Sequence, residues 1–382
     1  MTDLGISRVT DITRMDRLGL PVSASVRPRG TTLRVHAGKG IRPEEARVGA
    51  LMEAIEYAVA ERSSALALTA RMSLRDLAGQ LPSGIRLIDL APRLGVHVAP
   101  EREILAIECE SIGRTRRVFL PAELVLMPCP KEGADFLFGW STNGLASGNS
   151  LDEATLHGLL EVLERDALAM NRGRNASVRV DNDELPEAFR TWAAQWDRLG
   201  VELVVRHLPN DFDLPCFEAH LHEAASPDVN LARGSGLHLD RDIALARAVC
   251  EAAQSRLSFI HGGRDDITRF YERQAADGAV NRDAQADMIS RIKGCERQAA
   301  YASLPDESGL VETPTKALKA LLARLTARGF GDVMRRRMTL GDEGIDLHGL
   351  HVVKVIVPRC ESTEGGVARM GARLFGRILQ GA

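Results

Sequence analysis

The sequence predicts an α+β fold, mixed sheets flanked by long helices, and three observations carry that expectation. A grammar of β-branched strand, glycine-rich turn and long helix recurs around residues 38–40, 140–149 and 234–236. Apolar side chains make up 45% of the 382 residues, and at ~150 residues per domain that is chain enough for two or three lobes with a sizeable core. Each glycine turn also stands before a helix N-terminus, where backbone N–H groups can meet anions.

Composition excludes several function classes. Lysine and arginine number 49 against 52 acidic residues, a formal charge of -3, which argues against a nucleic-acid surface. Aromatic residues are only 4%, too few for base-stacking platforms. No apolar run approaches the ~18 residues of a membrane span, and the opening MTDLGISRVTD lacks an apolar signal segment. The expectation is a soluble, cytoplasmic protein with no membrane and no nucleic acid as partners. The six cysteines form no CxxC pair and read as small buried hydrophobes.

Taken in order, the first forty residues read as short strands broken by Gly and Pro. Pro43 suits the first turn of a helix running to about Arg62. Residues 71–130 read as a mixed segment with strands near 104–109 and 117–120. The loop Trp140-Ser-Thr-Asn-Gly-Leu-Ala-Ser-Gly-Asn149 opens onto a second long helix ending near Met170. Residues 185–223 read as helix, strand and strand. A loop at Gly234-Ser-Gly236 precedes a third long helix from about Asp240 to Ile260, and the chain is charged and helical from there to about Gly329. An apolar strand over 351–357 and a short Arg-rich tail close it.

The glutamates of the three long helices are the informative feature. At ~100° per residue, Glu153, Glu161 and Glu164 fall within an arc of roughly 80° on the second helix. Leu156, Leu159, Leu160, Leu163 and Ala167 fill the neighbouring arc, so the acidic stripe borders the buried face. Glu53 and Glu56 are i,i+3 partners on the first helix. Arg247, Glu251, Gln254 and Ser258 share an arc of about 60° on the third. A solvated helix face is the plain alternative for any one helix. Its usual mark, a basic residue at i+4 spacing, is absent from the second helix's arc.

Six carboxylates brought together would repel one another and lose solvation, and divalent cations are the natural remedy. Hard oxygen ligands suit Mg²⁺ shared with phosphates, and Arg165 and Arg247 suit phosphate oxygens. The pattern points to a nucleoside triphosphate held without a GxxxxGK[ST] loop or kinase motifs, neither of which occurs.

On these residues the chain resembles the YcaO family, ATP-dependent enzymes that activate peptide backbone amides. The resemblance runs in collinear order through 38–47, the ALMEAIE helix at 50–56, STNGLASGN at 141–149, and 153–166. It continues through 244–256, 263–266 and HVVKVIVP at 351–358. Gly49 departs from the serine common in the family. The resemblance implies one YcaO-type ATP-binding domain over 1–382, with intertwined lobes of about 1–170 and 171–382 and the ATP site between them. It implies Mg²⁺–ATP carboxylate roles for Glu53, Glu56, Glu153, Glu161, Glu164 and Glu251, the last five as metal ligands and Glu53 on the nucleotide side. Arg8, Asn149, Arg165, Arg247 and Gln254 resemble nucleotide contacts, with Glu164, Arg165 and Arg247 at the reacting groups.

Within the family, cyclodehydratases that make azolines commonly end in a Pro-x-Pro-x-Pro tail, whereas no proline follows Pro358 here. The compact form and the opening GISRVTDIT resemble the branch that works with TfuA partners. That implies thioamide formation on a ribosomally made peptide or protein substrate, with sulfide or a sulfur-donor protein as co-substrate. A homodimer and a TfuA-like partner are implied with it. Azoline formation and a non-catalytic peptide-binding scaffold are the alternatives.

Some residues keep two readings at this stage. His220 and His222 alternate on a strand and could share a metal or simply a strand face. His157 lies within the acidic arc as a site residue or a hydrogen-bonded spacer. Gln254 and Arg256 could order the site or meet peptide. Lys39, one of six lysines, reads as a phosphate contact or a turn residue. Arg264, Asp265 and Asp266 read as a site element or a salt-bridge network.

Overall fold

Glycine determines how the long helices meet the sheets. The strands are β1 (Arg8–Asp11), β2 (Val22–Val26), β3 (Val35–Lys39), β4 (Thr69–Ser73), β5 (Glu103–Ser111), β6 (Arg116–Pro121) and β7 (Leu145–Gly148). They continue as β8 (Val178–Val180), β9 (Glu202–His207), β10 (Cys216–His222), β11 (Leu231–Leu237), β12 (Met334–Met338) and β13 (His351–Ile356). The helices are α1 (Pro43–Glu61), α2 (Leu74–Gln80), α3 (Leu151–Gly173) and α4 (Glu187–Arg198). They are followed by α5 (Arg241–His261), α6 (Asn281–Lys293), α7 (Pro314–Ala327) and α8 (Ala372–Leu379). This computed structural model describes residues 2–63, 68–113, 116–130, 136–225, 231–264, 267, 281–294, 297–340, 347, 349–363 and 369–380. Asp265, Asp266 and Cys295 lie outside them.

The chain forms two compact units. One comprises Met1–Ile55, Ala176–Pro209 and Asp213–Ser308; the other comprises Glu56–Asn175, Asn210–Phe212 and Gly309–Ala382. Each takes segments from both sides of residue 170, and α1 carries the division between Ile55 and Glu56.

In the first unit, β1-β2-β3 form one antiparallel sheet and β11-β10-β9-β8 another. Gly234 and Gly236 sit inside β11, which corrects the loop expected there. A Cβ on Gly234 would stand 2.2 Å from the Ala252 nitrogen, and one on Gly236 2.3 Å from the Ala244 oxygen. These glycines admit the α5 backbone against the strand; they do not turn the chain. The same device seats α1 on β3, where a Cβ on Gly38 would stand 2.0 Å from the Ala46 oxygen. Asp240 starts α5 by accepting from the amides of Asp242 and Ile243 at 2.8 and 3.0 Å, and Gly262 ends it at φ 62°. The core gathers Trp196, Phe189, Phe217, Leu221, Leu245 and Val249, and the Trp196 indole donates to the Leu18 carbonyl at 2.9 Å.

The opposite face of β10 carries Glu218, His220 and His222. His220 is 4% exposed, and neither ring nitrogen has a hydrogen-bond partner. Burial, helped by Arg233 and Arg206, pushes its pKa down from 6.5 to about 3, and burial takes His207 to about 4. A ring neutral in the folded chain but protonated in the unfolded one makes stability complete above pH 6.5. That stability is lost as pH falls toward the folded pKa, at about 1.4 kcal/mol per pH unit per ring. Denaturant midpoints should therefore fall between pH 6 and 4, and His220→Leu should make the fall shallower. An unchanged slope in the variant would show that His220 is not buried neutral.

In the second unit the sheet order is β4-β5-β12-β13-β7, with β6 paired to β5, and every ladder is antiparallel. The 140–149 segment, expected as a loop, contains β7. Gly148 at its end approaches α3 as Gly38 approaches α1: a Cβ there would stand 2.5 Å from the Ala154 nitrogen. Ser150 caps α3 by accepting from the Glu153 amide at 3.1 Å. Leu156, Leu159, Leu160, Leu163 and Ala167 are buried, as their spacing predicts. The charged stretch before Gly329 is not continuously helical among the described residues: 3-10 turns occur at Tyr301–Ser303 and Ser308–Leu310, and Thr313 and Pro314 begin α7 afresh. The Arg-rich tail is α8. Glu361 accepts from the Gly371 and Leu374 amides at its start, and Arg373 pairs with Asp166 at 2.6 Å and Asp211 at 2.5 Å. Among the described residues, no helix is long and apolar enough to cross a membrane.

Candidate functional site

In the second unit the carboxylates gather about β7 and α3. Glu56, at the sequence position where α1 enters this unit, accepts from the Ser147 hydroxyl at 2.5 Å. His157 Nδ1 lies 3.3 Å from the Ser147 carbonyl, a hydrogen bond that both of its readings allow. Glu153 accepts from the Asn149 amide at 3.0 Å and faces its side-chain Nδ2 at 3.3 Å, so Asn149 and Glu153 form one local motif at the α3 N-terminus. Glu164 is 3% exposed, the deepest of the α3 glutamates.

Glu161 and Arg165 stand at i,i+4 with 4.0 Å between charged atoms. A second cation comes from another element. Lys354 on β13 is 2% exposed and donates from Nζ to the Ser141 carbonyl at 2.5 Å. Burial pushes its pKa down to about 7, against the charge of Glu161, which favours the ammonium. The expected absence of a basic i+4 residue is corrected by Arg165, which single-helix spacing already puts at i+4 from Glu161; what single-helix spacing cannot register is a lysine supplied by a strand. The available signal was a lone charge inside the otherwise apolar run VVKVIV.

In the first unit the remaining candidates meet at β3, α1 and α5. The Ala37 amide donates to Glu53 at 3.0 Å, and Gln254 Nε2 donates to the Ala37 carbonyl at 3.1 Å. Lys39 pairs with Glu251. Burial raises the Glu53 carboxyl above its ordinary range, opposed by the charge of Arg264, the Ala37 amide and Lys39 and reinforced by Glu251. The Arg247 Nε and Gln254 Oε1 are buried with no protein partner. Arg8 stands exposed on β1 opposite Val26. Arg256 is 4% exposed and paired with Asp16 and Glu223.

Among the described residues no group of three or more His, Cys, Asp or Glu stands at metal-holding distance, the His220–His222 face included. The glutamates are held by hydroxyl, amide, ammonium and guanidinium donors. That donor set still fits a magnesium nucleotide. Hard carboxylate oxygens are what Mg²⁺ takes, and the orphaned buried atoms on α5 are a guanidinium nitrogen and an amide oxygen, a phosphate donor and a base or ribose acceptor.

Fold and side chains define a class: α+β proteins whose glycine-seated helices carry carboxylates and arginines in place of a phosphate loop. A family model described as YcaO cyclodehydratase, ATP- and Mg²⁺-binding, matches residues 37–361. An uncharacterized protein of Methanothermobacter thermautotrophicus is 32% identical over 397 residues, covering 98% of this chain and 94% of its own length. A Rhizobium leguminosarum bv. trifolii protein, described as uncharacterized and in the tfuA 3′ region, is 31% identical over 99% of this chain and 89% of its own length. The solved YcaO of Methanopyrus kandleri, bound with AMPPCP and Mg²⁺, shares the fold with a TM-score of 0.73 at 23% identity, over 97% of this chain and 91% of that one. The chain belongs to the YcaO family.

Proposed function

We propose that this chain uses Mg²⁺ and ATP to phosphorylate the oxygen of a peptide backbone amide, and that sulfur then replaces that oxygen to give a thioamide. The observation that carries the ATP half is the ATP- and Mg²⁺-binding family match over 37–361, joined to the orphaned Arg247 Nε and Gln254 Oε1 on α5. The sulfur half rests on the relative from the tfuA 3′ region, which this chain matches almost end to end.

An amide oxygen is a poor leaving group. Its attack on the γ-phosphorus of ATP forms an O–P bond and releases ADP. A sulfur nucleophile, sulfide or sulfur delivered by a donor protein, adds to the activated carbon; the C–O bond breaks, phosphate leaves, and C=S forms with loss of the sulfur proton. Glu56, Glu153, Glu161, Glu164 and Glu251 would hold Mg²⁺, which supplies charge neutralisation on the transferring phosphoryl group. Arg165 and Arg247 bind the phosphate oxygens, and Glu164 orients the reacting groups beside them. Asn149, Gln254, Glu53 and Arg8 hold the nucleotide. A TfuA-like partner, a homodimer and a cytoplasmic setting belong to the same reading, and the peptide is bound through its backbone, which tolerates varied side chains.

The family description also names cyclodehydratases, which favours azoline formation as the second reading. Mass spectrometry of a candidate substrate peptide, after incubation with ATP, Mg²⁺, sulfide and a TfuA-like protein, separates the two. The expected product has sulfur in place of oxygen. A product lighter by one water would mean an azoline, and an unmodified peptide with no ATP consumed would favour a scaffold.

A further inference from the structure

A partly open cavity of about 40 Å³ lies within the second unit, against β13, α3, the segment leading into β7 and the chain about Asp89. Its polar lining includes Asp89, Ser141, Asn143, Ser362 and Arg369, and the remainder is mainly aliphatic. Its walls are fixed by bonds made to the backbone. Glu123, 9% exposed, accepts from the Leu137, Phe138 and Gly139 amides at 3.1, 2.7 and 2.8 Å, which anchors the chain just before Ser141. On the other side Arg369 donates from Nε and Nη2 to the Ala91 and Leu90 carbonyls at 2.9 and 2.8 Å. The Arg359 amide donates to the Asp89 carbonyl at 2.5 Å. The cavity is therefore preformed, as small-ligand sites usually are.

The groups left over are of both kinds. Asn143 Oδ1 is buried and has no hydrogen-bond partner among the described residues. Asp89, 7% exposed, accepts from the Arg86 amide on Oδ2 at 2.8 Å, whereas its Oδ1 stands 4.0 Å from Arg359 Nε, beyond hydrogen-bond reach. Donors come from the Arg369 guanidinium, the Asn143 amide nitrogen and the Ser141 and Ser362 hydroxyls. An anion placed here would meet the Asp89 carboxylate and the Asn143 carbonyl oxygen, and a cation would meet Arg369. A neutral group with one donor and one acceptor satisfies both sets, and the aliphatic lining suits carbon on either side of it. A peptide unit has that make-up, whereas water matches the polar half alone.

We propose that this cavity is a subsite for a neutral peptide amide, a unit of the substrate held against α3 beside Val162. That the cavity takes an amide follows from its lining; that the amide belongs to the substrate rests on the peptide reading given above. The bound N–H donates to Asp89 or Asn143, and the bound C=O accepts from Arg369 or a serine hydroxyl. Such a contact fixes the register of a peptide without reading its side chains.

The test is an NMR titration of the full chain, labelled at its leucine and valine methyl groups, without nucleotide or Mg²⁺. N-methylacetamide should shift the methyls of Leu124, Val162 and Val355, which line the cavity, and saturate with a dissociation constant of about 1–100 mM, the range open to a ligand of so few atoms. Acetate and methylammonium at the same concentrations should leave those methyls unmoved. Asn143→Ala should weaken the amide about 5- to 10-fold, the loss of one hydrogen bond. Acetate acting as strongly as the amide would make the cavity an anion site, and no shift with any of the three probes would make it a hydration pocket. Either result overturns the proposal, as does unchanged affinity in Asn143→Ala. A peptide that the chain modifies should displace N-methylacetamide. Modified peptide formed with the probe still in place would overturn the subsite and leave the thioamide reading standing. Probe binding in a chain that consumes no ATP with any peptide would overturn that reading, and with it the substrate half of the proposal.

Discussion

Glu164→Gln is expected to remove at least about 100-fold of Mg²⁺-dependent ATP turnover while leaving the protein folded. Glu164 is 3% exposed on the face of α3 that borders the core, so glutamine keeps the shape and removes only the charge. Thermal melts of the same variant score turnover per folded molecule, so that loss of the charge is separated from loss of the fold. Glu161→Ala, at a quarter-exposed position, should behave alike in turnover with a stability change within about 1 kcal/mol. Full activity in both variants would remove α3 from the candidate metal site.

Arg256→Ala carries the largest expected effect on stability. The guanidinium is 4% exposed, with Nε 2.9 Å from Asp16 and Nη2 2.7 Å from Glu223, and both carboxylates are 5% exposed. Removing the cation takes the guanidinium from two buried acids, leaving Glu223 its ion pair with Arg17 and Asp16 the Arg17 backbone amide at 2.8 Å. Breaking a buried pair in this way costs about 3–5 kcal/mol. A denaturant midpoint lowered accordingly, with turnover per folded molecule retained, is the expected outcome. An unchanged midpoint with weakened peptide binding would return Arg256 to the peptide contact that its place in Gln-Ser-Arg allows.

Much of the local structure was legible because its signals are local. The long helices fall at Pro43–Glu61, Leu151–Gly173 and Arg241–His261, within a few residues of where Pro43, the turns and the apolar periodicity place them. The strands misread as loops share one cause. Gly148, Gly234 and Gly236 look like turn residues in sequence, but they serve close approach to a helix, and only the tertiary partner reveals that. Strand order is invisible where it joins distant segments: β13 lies between β12, its neighbour in sequence, and β7 (Leu145–Gly148), far upstream in the chain.

The site divides along the same line. Helical spacing puts Glu153, Glu161 and Glu164 on one stripe, and the structure gives that stripe a buried glutamate, a capped N-terminus and a neighbouring arginine. Spacing cannot supply the partners that come from elsewhere: Ser147 for Glu56, the Ala37 amide for Glu53, Lys39 for Glu251, and Lys354 near Glu161. Arg256 shows the converse. Its neighbourhood in sequence suggests the site, and its charge is spent on Asp16 and Glu223 in the interior.

The central claim is that ATP activates the amide oxygen itself. The most direct measurement uses a substrate peptide synthesised with isotope-labelled oxygen in its backbone amides, and follows the label during turnover with Mg²⁺ and ATP. The label should appear in the inorganic phosphate, one oxygen for each sulfur gained by the peptide. Modified peptide formed alongside unlabelled phosphate would contradict phosphorylation of the amide oxygen.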